Sequence, residues 1–135
     1  MDVTDTTDLK ELEATLGHTF GNPKLLLEAV THRSFAHENA AGIPHHNERM
    51  EFLGDAILGF VVASILSEEY PSAREGELTQ RRAALVSGAA LGQLASALSL
   101  GRHLRLGRGE ERTGGREKTR LLASAFEACI AAIYL

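Results

Sequence analysis

The sequence predicts an all-α domain. Apolar residues recur at spacings of three and four residues along most of the chain, which is the period of an α-helix. No stretch alternates apolar and polar residues with the β-branched enrichment of a half-buried strand. With 44% hydrophobic residues, 135 residues suffice for one compact core and are too few for two ordinary domains. We therefore expect residues 1–135 to form one helical unit.

The first two predicted helices have local start and stop signals. One spans residues 7–16 and ends at Gly17, because glycine readily terminates a helix. The second begins after Asn22, a capping residue that is followed by a proline at the first helical position, and continues to about residue 31. The stretch 31–46 contains a glycine and a proline, and we expect it to be an irregular connection.

The third predicted helix is the longest and the most apolar. Asn47 is its expected N-cap, and Glu48 places negative charge in the first turn, where the helix dipole favours it. The helix should end before Pro71. Because residues 56–66 are almost wholly apolar, we expect this helix to be largely buried and central to the fold.

The second half of the chain predicts three more helices and one loop. Helices fit residues 76–86 and residues 87–100, with Gly101 as the terminator of the latter. The stretch 101–115 contains five glycines and is predicted to be a basic loop. The last helix should begin near Arg116 and is still strongly apolar where the sequence stops, so we expect a longer parent protein.

The charge of the chain is unevenly distributed. The net charge of −4 argues against a nucleic-acid partner, since phosphate binding normally requires an excess of Lys and Arg. Residues 1–13 hold five acids and one base, whereas residues 102–120 hold seven bases and three acids. A basic run considered alone is most often a solvated loop. Charge by itself therefore leaves the partner undecided.

Three features indicate a cytoplasmic protein without a membrane anchor. No run of about 18 uncharged apolar residues occurs. The N-terminus is acidic, whereas a secretory signal would be basic and then apolar. The lone Cys129 cannot form an internal disulfide and lies in an apolar run, where a thiol usually behaves as a small hydrophobic group.

Acidic residues occur where a helical core is expected. Glu48, Glu51 and Asp55 stand at i, i+3 and i+7 of the long helix, which places them within a fan of roughly 60°. Glu127 stands alone among the apolar residues of the last helix. If the two helices are adjacent, these oxygen ligands suit Mg²⁺ or Mn²⁺. The alternative is that the acids face solvent or pair with Arg49, Arg81 or Arg82.

The run NERMEFLGDAIL, residues 47–58, resembles the signature of the ribonuclease III family and differs from it only in apolar-for-apolar exchanges. The resemblance continues upstream through THRSF at residues 31–35. Downstream it includes GELT, LRLGRGE and AFEA, at residues 76–79, 104–110 and 125–128. It covers nearly the whole chain in the order of the family, which makes a chance match far less probable than for one short motif.

The resemblance implies the endonuclease domain of a bacterial-type enzyme with an all-α fold and a two-fold homodimer. Such an enzyme uses Mg²⁺, with Mn²⁺ as a substitute, to hydrolyse double-stranded RNA to 5′-phosphate and 3′-hydroxyl ends with short 3′ overhangs. Processing of ribosomal RNA in the cytoplasm is the role that the family implies. A C-terminal double-stranded-RNA-binding domain of the bacterial type is expected to be absent from these 135 residues.

The resemblance also assigns residue roles. The metal-binding, catalytic positions of the family are matched by Glu51, Asp55 and Glu127. Glu48 and Asn47 match signature positions with a supporting role. Phe52 matches an aromatic residue that inserts into a pocket of the partner subunit, although without the family we would place it in the core of its own chain.

Ser124 departs from the family pattern. An aspartate usually stands three residues before the final glutamate, so this chain has lost one expected metal ligand. Serine can hold a water molecule but adds no negative charge, and divalent affinity should therefore fall. We expect an active enzyme that requires more metal. Two alternatives remain open, a catalytically impaired dimer that binds RNA without efficient cleavage, and an unrelated helical metal hydrolase of small phosphates.

Other polar groups give weaker signals. Arg105, Arg108 and Arg112 could contact RNA phosphates. His45 belongs to a histidine pair that lacks the spacing of a zinc site, and the glycines of the basic loop fit neither GxGxxG nor a P-loop. His32 is expected to order its local turn, as its counterpart in the family motif would.

Overall fold

The protein is described by a computed structural model over residues 7–39 and 45–135, and both parts are mostly helical. The predicted all-α class is confirmed, because the described residues contain no strand, only an isolated parallel bridge between Thr31 and Arg105. Residues 1–6, with the first acids of the N-terminus, and residues 40–44 of the predicted connection lie outside the described residues. In chain order, the α-helices are α1 Thr7–Leu16, α2 Pro23–Ala29, α3 Arg33–Glu38, α4 Glu48–Glu69, α5 Glu75–Leu85, α6 Gly88–Ala97, α7 Arg108–Arg112 and α8 Thr119–Tyr134.

The first two helices form as their local signals predict. The bounds of α1 agree with the prediction, and Gly17 follows it in the left-handed region at φ 68°. The side chain of Asn22 accepts a hydrogen bond of 3.1 Å from the backbone N–H of Lys24 and thereby caps α2. The second helix ends two residues earlier than predicted, since Val30 and Thr31 leave the helix to form the bridge with Arg105.

The connection after α2 is not wholly irregular, and in this respect the prediction is wrong. Residues Arg33–Glu38 form the short helix α3. His32 is its N-cap, because its Nδ1 accepts a hydrogen bond of 3.1 Å from the backbone N–H of Ser34. The same contact confirms that His32 orders its local turn.

The long helix α4 begins and ends as predicted, but Asn47 does not cap it with its side chain. Asn47 is only 4% exposed, and its Nδ2 donates a hydrogen bond of 3.1 Å to the carbonyl oxygen of Ala29. Its backbone N–H donates a second bond of 2.9 Å to the carbonyl oxygen of Thr31. Asn47 therefore attaches the start of α4 to the end of α2.

Helix α4 is not largely buried in the single chain, and that prediction is wrong. Its buried residues are Met50, Gly54 and Leu66, whereas Phe52 is 81% exposed and Phe60 is 74% exposed. The interpretation of Phe52 as a core residue of its own chain is therefore also wrong. By length and composition alone α4 could cross a membrane, although a single helix of this kind is weak evidence for a membrane span.

The predicted basic loop is largely ordered into short elements. Helix α6 is capped by Ser87, whose hydroxyl accepts a hydrogen bond of 3.1 Å from the backbone N–H of Ala90. The helix ends at Ala97. It therefore stops short of the predicted terminator, and a 3₁₀ turn, Leu100–His103, follows. Helix α7 and a second 3₁₀ turn, Gly115–Glu117, fill the rest, so the last helix begins three residues later than predicted.

Helix α8 is the buried centre of the fold. It packs against α4, α6 and α2 through a face rich in small residues, of which the buried members are Leu121, Leu122, Ala123, Ala125, Ala128, Cys129, Ala131 and Ala132. Burial raises the pKa of the Cys129 thiol to about 12, which agrees with the prediction that this residue is a small hydrophobic group. Small side chains let the helices approach closely, and the acidic residues of α4 thereby reach α8.

Candidate active site

Helices α4 and α8 are in close backbone contact at Gly54. A Cβ atom at this position would lie 1.7 Å from the backbone oxygen of Glu127, a distance that no real side chain could keep. Neither helix can relieve such an overlap by turning a side chain, because the obstructing atom belongs to the backbone. Glycine at position 54 therefore allows the contact, and it brings the neighbouring Asp55 to Glu127.

Asp55 and Glu127 form a carboxyl pair across this contact. Burial of Glu127, its hydrogen bond with Asp55, and the negative charges of Asp55 and Glu51 together raise the pKa of Glu127 to about 8. Below that pH, in the absence of a cation, Glu127 is protonated and donates its O–H to Asp55. Two carboxyl groups on facing helices thus share one proton.

Glu51 lies within electrostatic range of the pair but does not complete a group of three ligands. Its charge raises the pKa of Glu127, yet no cluster of three acidic, histidine or cysteine side chains within residues 7–39 and 45–135 is arranged to hold a metal ion. The structure thus brings Asp55 and Glu127 together, as predicted, but Glu51 does not join them in a group of three ligands.

Pairing with arginine does not explain these three acids. The alternative that an acid faces solvent holds for Asp55, which is exposed, but not for Glu51 and Glu127, which are partly buried. Across the part of the chain that the structure describes, Glu51, Asp55 and Glu127 form no ion pair. Arg81 instead pairs with Glu77 at 3.2 Å and stacks on a tyrosine ring. The carboxyl pair fits a divalent cation, because its hard oxygen ligands lack a positive partner and a cation would replace the shared proton.

A cavity of about 420 Å³ lies beside the pair. Glu48 and Glu51 line it from α4, Arg120 and Ser124 line it from α8, and His32 lines it from the start of α3. Asp55 and Glu127 do not line the cavity themselves, but Ser124, which does, is half-buried and stands one turn before Glu127 on α8. The first turns of α4 and α8 both face this space, which makes their N-terminal dipoles part of its electrostatics.

Two of the cavity acids are paired with bases. Glu48 forms an ion pair of 3.5 Å with Arg33. Glu110 accepts hydrogen bonds from Lys118 and Thr113. Both bonds lower the pKa of Glu110, and the bond from Lys118 has the larger effect. Glu48, for which a supporting role is predicted, thus links the start of α4 to α3.

The basic candidates occupy different environments. Arg105 is only 8% exposed, and its guanidinium stacks 4.2 Å from the centre of the Phe35 ring. This burial does not agree with the expectation that Arg105 contacts RNA phosphates, because the guanidinium is not at the surface. Arg108 and Arg112 are exposed on α7, and for them the expectation stays a prediction.

Other bases of the same stretch have structural partners that the sequence did not reveal. Arg116 donates to the backbone oxygens of Gly101 at 3.0 Å and Leu104 at 2.6 Å, and it pairs with Glu111 at 2.7 Å. Arg102 pairs with Glu11 of α1 at 2.9 Å. Much of the positive charge is therefore used to hold the irregular segment together.

Sequence reasoning also missed the role of Gly54 and the place of Arg120 in the cavity. A signal existed for Gly54, because a glycine inside a helix costs about 1 kcal/mol relative to alanine and usually has a packing reason. No comparable signal distinguishes Arg120 from the bases around it.

Comparison with known proteins places this architecture among known nucleases. The family model described as Ribonuclease-III-like matches residues 22–135. The protein named ribonuclease 3 of Geobacter metallireducens is 54% identical over 127 residues, 93% of this chain and 51% of that protein. Ribonuclease 3 of Azotobacter vinelandii is 54% identical over 127 residues, 94% of this chain and 52% of that protein. The chain thus spans about half the length of the curated relatives it matches.

Solved structures agree with the fold. The crystal structure of the nuclease domain of ribonuclease III from Campylobacter jejuni superposes with a TM-score of 0.86 at 38% identity, over 95% of this chain and 83% of that one. A second structure of the same domain, with a TM-score of 0.86 at 39% identity, covers 93% of this chain and 84% of that one. It is described as flexible in the region involved in dimer formation. The predicted helical fold is confirmed.

Proposed function

The chain belongs to the ribonuclease-III-like family, and from this membership we propose that it is the endonuclease domain of a bacterial ribonuclease III that hydrolyses double-stranded RNA. The observation on which the proposal depends is the carboxyl pair of Asp55 and Glu127 at the contact of α4 and α8. Relatives named ribonuclease 3 and the nuclease domain of similar fold support the same activity.

We assign the metal to Asp55, Glu127 and Glu51, with Mg²⁺ as the cofactor and Mn²⁺ as its substitute. When bound, the cation supplies an activated water and neutralises charge that develops on the phosphate. The proton shared by Asp55 and Glu127 must leave so that both carboxylates can act as ligands. Ser124 adds a hydroxyl where the family usually has a carboxylate, so the side chains that remain supply less negative charge. Glu48 and Asn47 support the site from the first turn of α4.

The proposed products have 5′-phosphate and 3′-hydroxyl ends, and recognition depends on the shape of the A-form duplex, its phosphates and its 2′-hydroxyls. Two sites that cut opposite strands would leave short 3′ overhangs. As in the family, we propose processing of ribosomal RNA in the cytoplasm, with an accompanying C-terminal RNA-binding domain.

We further propose a two-fold homodimer formed through α4. The exposed large apolar side chains of α4, Phe52, Phe60, Val61 and Ile65, support it, because apolar surface of this extent in a single chain is typical of an interface. In this arrangement Phe52 inserts into a pocket of the partner subunit. The nuclease domain of Campylobacter jejuni has a region involved in dimer formation, which agrees with the proposal.

One observation favours a second candidate function, that of a dimer which binds RNA and cleaves it poorly. Ser124 lines the cavity beside Glu51, where an aspartate would add charge, and the described residues do not assemble three metal ligands. Retention of Asp55 and Glu127 argues for catalysis. A cleavage assay separates the two functions.

The decisive experiment is cleavage of a long RNA duplex and of a single strand of equal length, with Mg²⁺, Mn²⁺ or a chelator. We expect metal-dependent cleavage of the duplex only, and a loss of at least about a hundredfold in Asp55→Asn. Glu68→Gln is the matched control, because Glu68 is an exposed acid of the same helix and has no ion pair among the described residues. Duplex binding without cleavage would favour the second function, and hydrolysis of small phosphate esters without duplex preference would refute both.

A further inference from the structure

Arg120 is a cavity residue to which the proposed chemistry assigns no role. It is exposed on the first turn of α8 and lines the same cavity as Glu51 and Ser124. Arg33, the other arginine of the lining, is paired with Glu48. Arg120 has no acidic side chain within ion-pair distance in the part of the chain that is described. Its positive charge is therefore available to a ligand in the cavity.

The residue at position 124 explains why Arg120 is unpaired. Position 124 is four residues after Arg120, the spacing at which opposite charges on a helix attract each other. An aspartate there would neutralise the guanidinium, whereas the hydroxyl of Ser124 does not. The departure from the family pattern thus removes negative charge from the cavity and leaves the arginine charge uncompensated.

His32 presents a second donor to the same cavity. Its Nδ1 accepts a hydrogen bond of 3.1 Å from the backbone N–H of Ser34 and lies 2.7 Å from the Ser34 hydroxyl. That hydroxyl accepts a hydrogen bond of 2.8 Å from the backbone N–H of Gly107. Since Nδ1 must be unprotonated to accept, the neutral ring has its proton on Nε2. No described residue accepts a hydrogen bond from Nε2, so this N–H is the donor that the ring can offer to the cavity.

We propose that Arg120 and His32 form a phosphate-binding subsite that holds the RNA backbone beside the metal-binding pair. The inference rests on the proposed function, because it takes the substrate to be an RNA duplex. Arg120 supplies charge, and His32 supplies an uncharged N–H whose tautomer Ser34 fixes. Arg120 precedes Glu127 by seven residues, about 10 Å along the helix axis. The subsite therefore takes a phosphate next to the one that is cut, and it positions the substrate.

The test compares binding of a labelled RNA duplex in the presence of chelator, where no cleavage occurs, over about 50 to 200 mM salt. We expect Arg120→Gln to weaken binding roughly fivefold and to reduce the salt slope by about one, while Arg120→Lys restores the slope. Arg102→Gln is the matched control, because it makes the same change of net charge at an exposed residue that is paired with Glu11 and lies outside the cavity lining.

His32→Ser tests the second donor. Serine keeps an N-cap acceptor for α3, so the fold is retained, and it removes the imidazole N–H. We expect weaker binding with an unchanged salt slope, since no charge is lost. Equal affinity and slope in wild type, Arg120→Gln and Arg102→Gln would overturn the subsite.

Kinetics with Mg²⁺ distinguish this inference from the proposed function. For a positioning residue, Arg120→Gln should raise KM and leave kcat within about twofold. A lower kcat with unchanged KM and unchanged binding would refute the subsite. If the wild type binds duplex but does not cleave it, the cleavage function fails, while the difference between the Arg120 and Arg102 variants still supports the subsite.

Discussion

Gly54 and Glu127 are in backbone contact where α4 meets α8, at a distance that leaves no room for a Cβ atom. We expect Gly54→Ala to lower the free energy of unfolding by about 1–3 kcal/mol or more and to abolish metal-dependent activity, because the helices must separate. Gly59→Ala is the control on the same helix, since a Cβ atom added there would meet no atom within 4 Å, and it should be neutral or stabilise by up to about 1 kcal/mol. Urea unfolding measures both, and equal stability of the two variants would contradict the contact.

The raised pKa of Glu127 predicts a pH-dependent stability of the metal-free protein. Because the folded pKa of about 8 exceeds the unfolded value near 4.5, the folded state retains a proton that the unfolded state has lost. The contribution of Glu127 to the free energy of unfolding should therefore be greatest below pH 4.5. This contribution should be lost as the pH rises through about 8. Thermal unfolding in chelator from pH 5 to 9 measures this, and Glu127→Gln should flatten the profile. A variant that keeps the wild-type slope would count against the shared proton.

Ser124→Asp should lower the Mg²⁺ concentration that gives half-maximal cleavage roughly tenfold, because it restores a carboxylate beside Glu127. Mn²⁺ should reduce the difference between variant and wild type, since it binds such sites more tightly. Metal titrations of duplex cleavage measure this effect. Identical curves would remove Ser124 from the account of metal affinity.

Asn47→Ala should destabilise the protein by about 1–3 kcal/mol, since it leaves the buried carbonyl oxygen of Ala29 without its donor. Asn39→Ala is a suitable comparison, because the Asn39 side chain makes a similar bond to the oxygen of Phe35 at an exposed position. Its loss should cost at most about 0.5 kcal/mol. Denaturant unfolding of the two variants should rank them in this order.

Phe52→Ala should shift the monomer–dimer equilibrium towards monomer by at least about tenfold, because large aromatic residues dominate such interfaces. The same change should alter the stability of the monomer little, since the side chain is mostly exposed in the single chain. Sedimentation velocity measures the first effect and unfolding at high dilution the second. A variant that dimerises like the wild type would place the interface elsewhere.

The elements that the sequence predicted well are those with local signals. Helix α1 ends at Gly17 and α2 begins at Asn22, because capping depends on neighbours along the chain. Helix α3 was missed, since it has only six residues and its cap is a histidine, a type that is not a strong N-cap signal.

The exposure of α4 could not be predicted, because an apolar face has the same sequence pattern whether its own chain or a second copy covers it. The burial of Arg105 was missed for a related reason, since its ring partner Phe35 is distant in sequence. For the site, helical spacing correctly indicated that acids share a face. It could not show that Asp55 reaches Glu127 while Glu51 turns towards the cavity, because that depends on the contact at Gly54.

The burial of Cys129 makes the core of this protein directly observable. Its thiol, the sole one in the sequence, is protonated at neutral pH and shielded by α8 and its neighbours, so alkylating reagents cannot reach it in the closed state. Its modification rate therefore measures how often α8 opens from the rest of the molecule. A ligand that holds α4 and α8 together should slow the modification of Cys129. The modification rate would then report ligand occupancy independently of turnover.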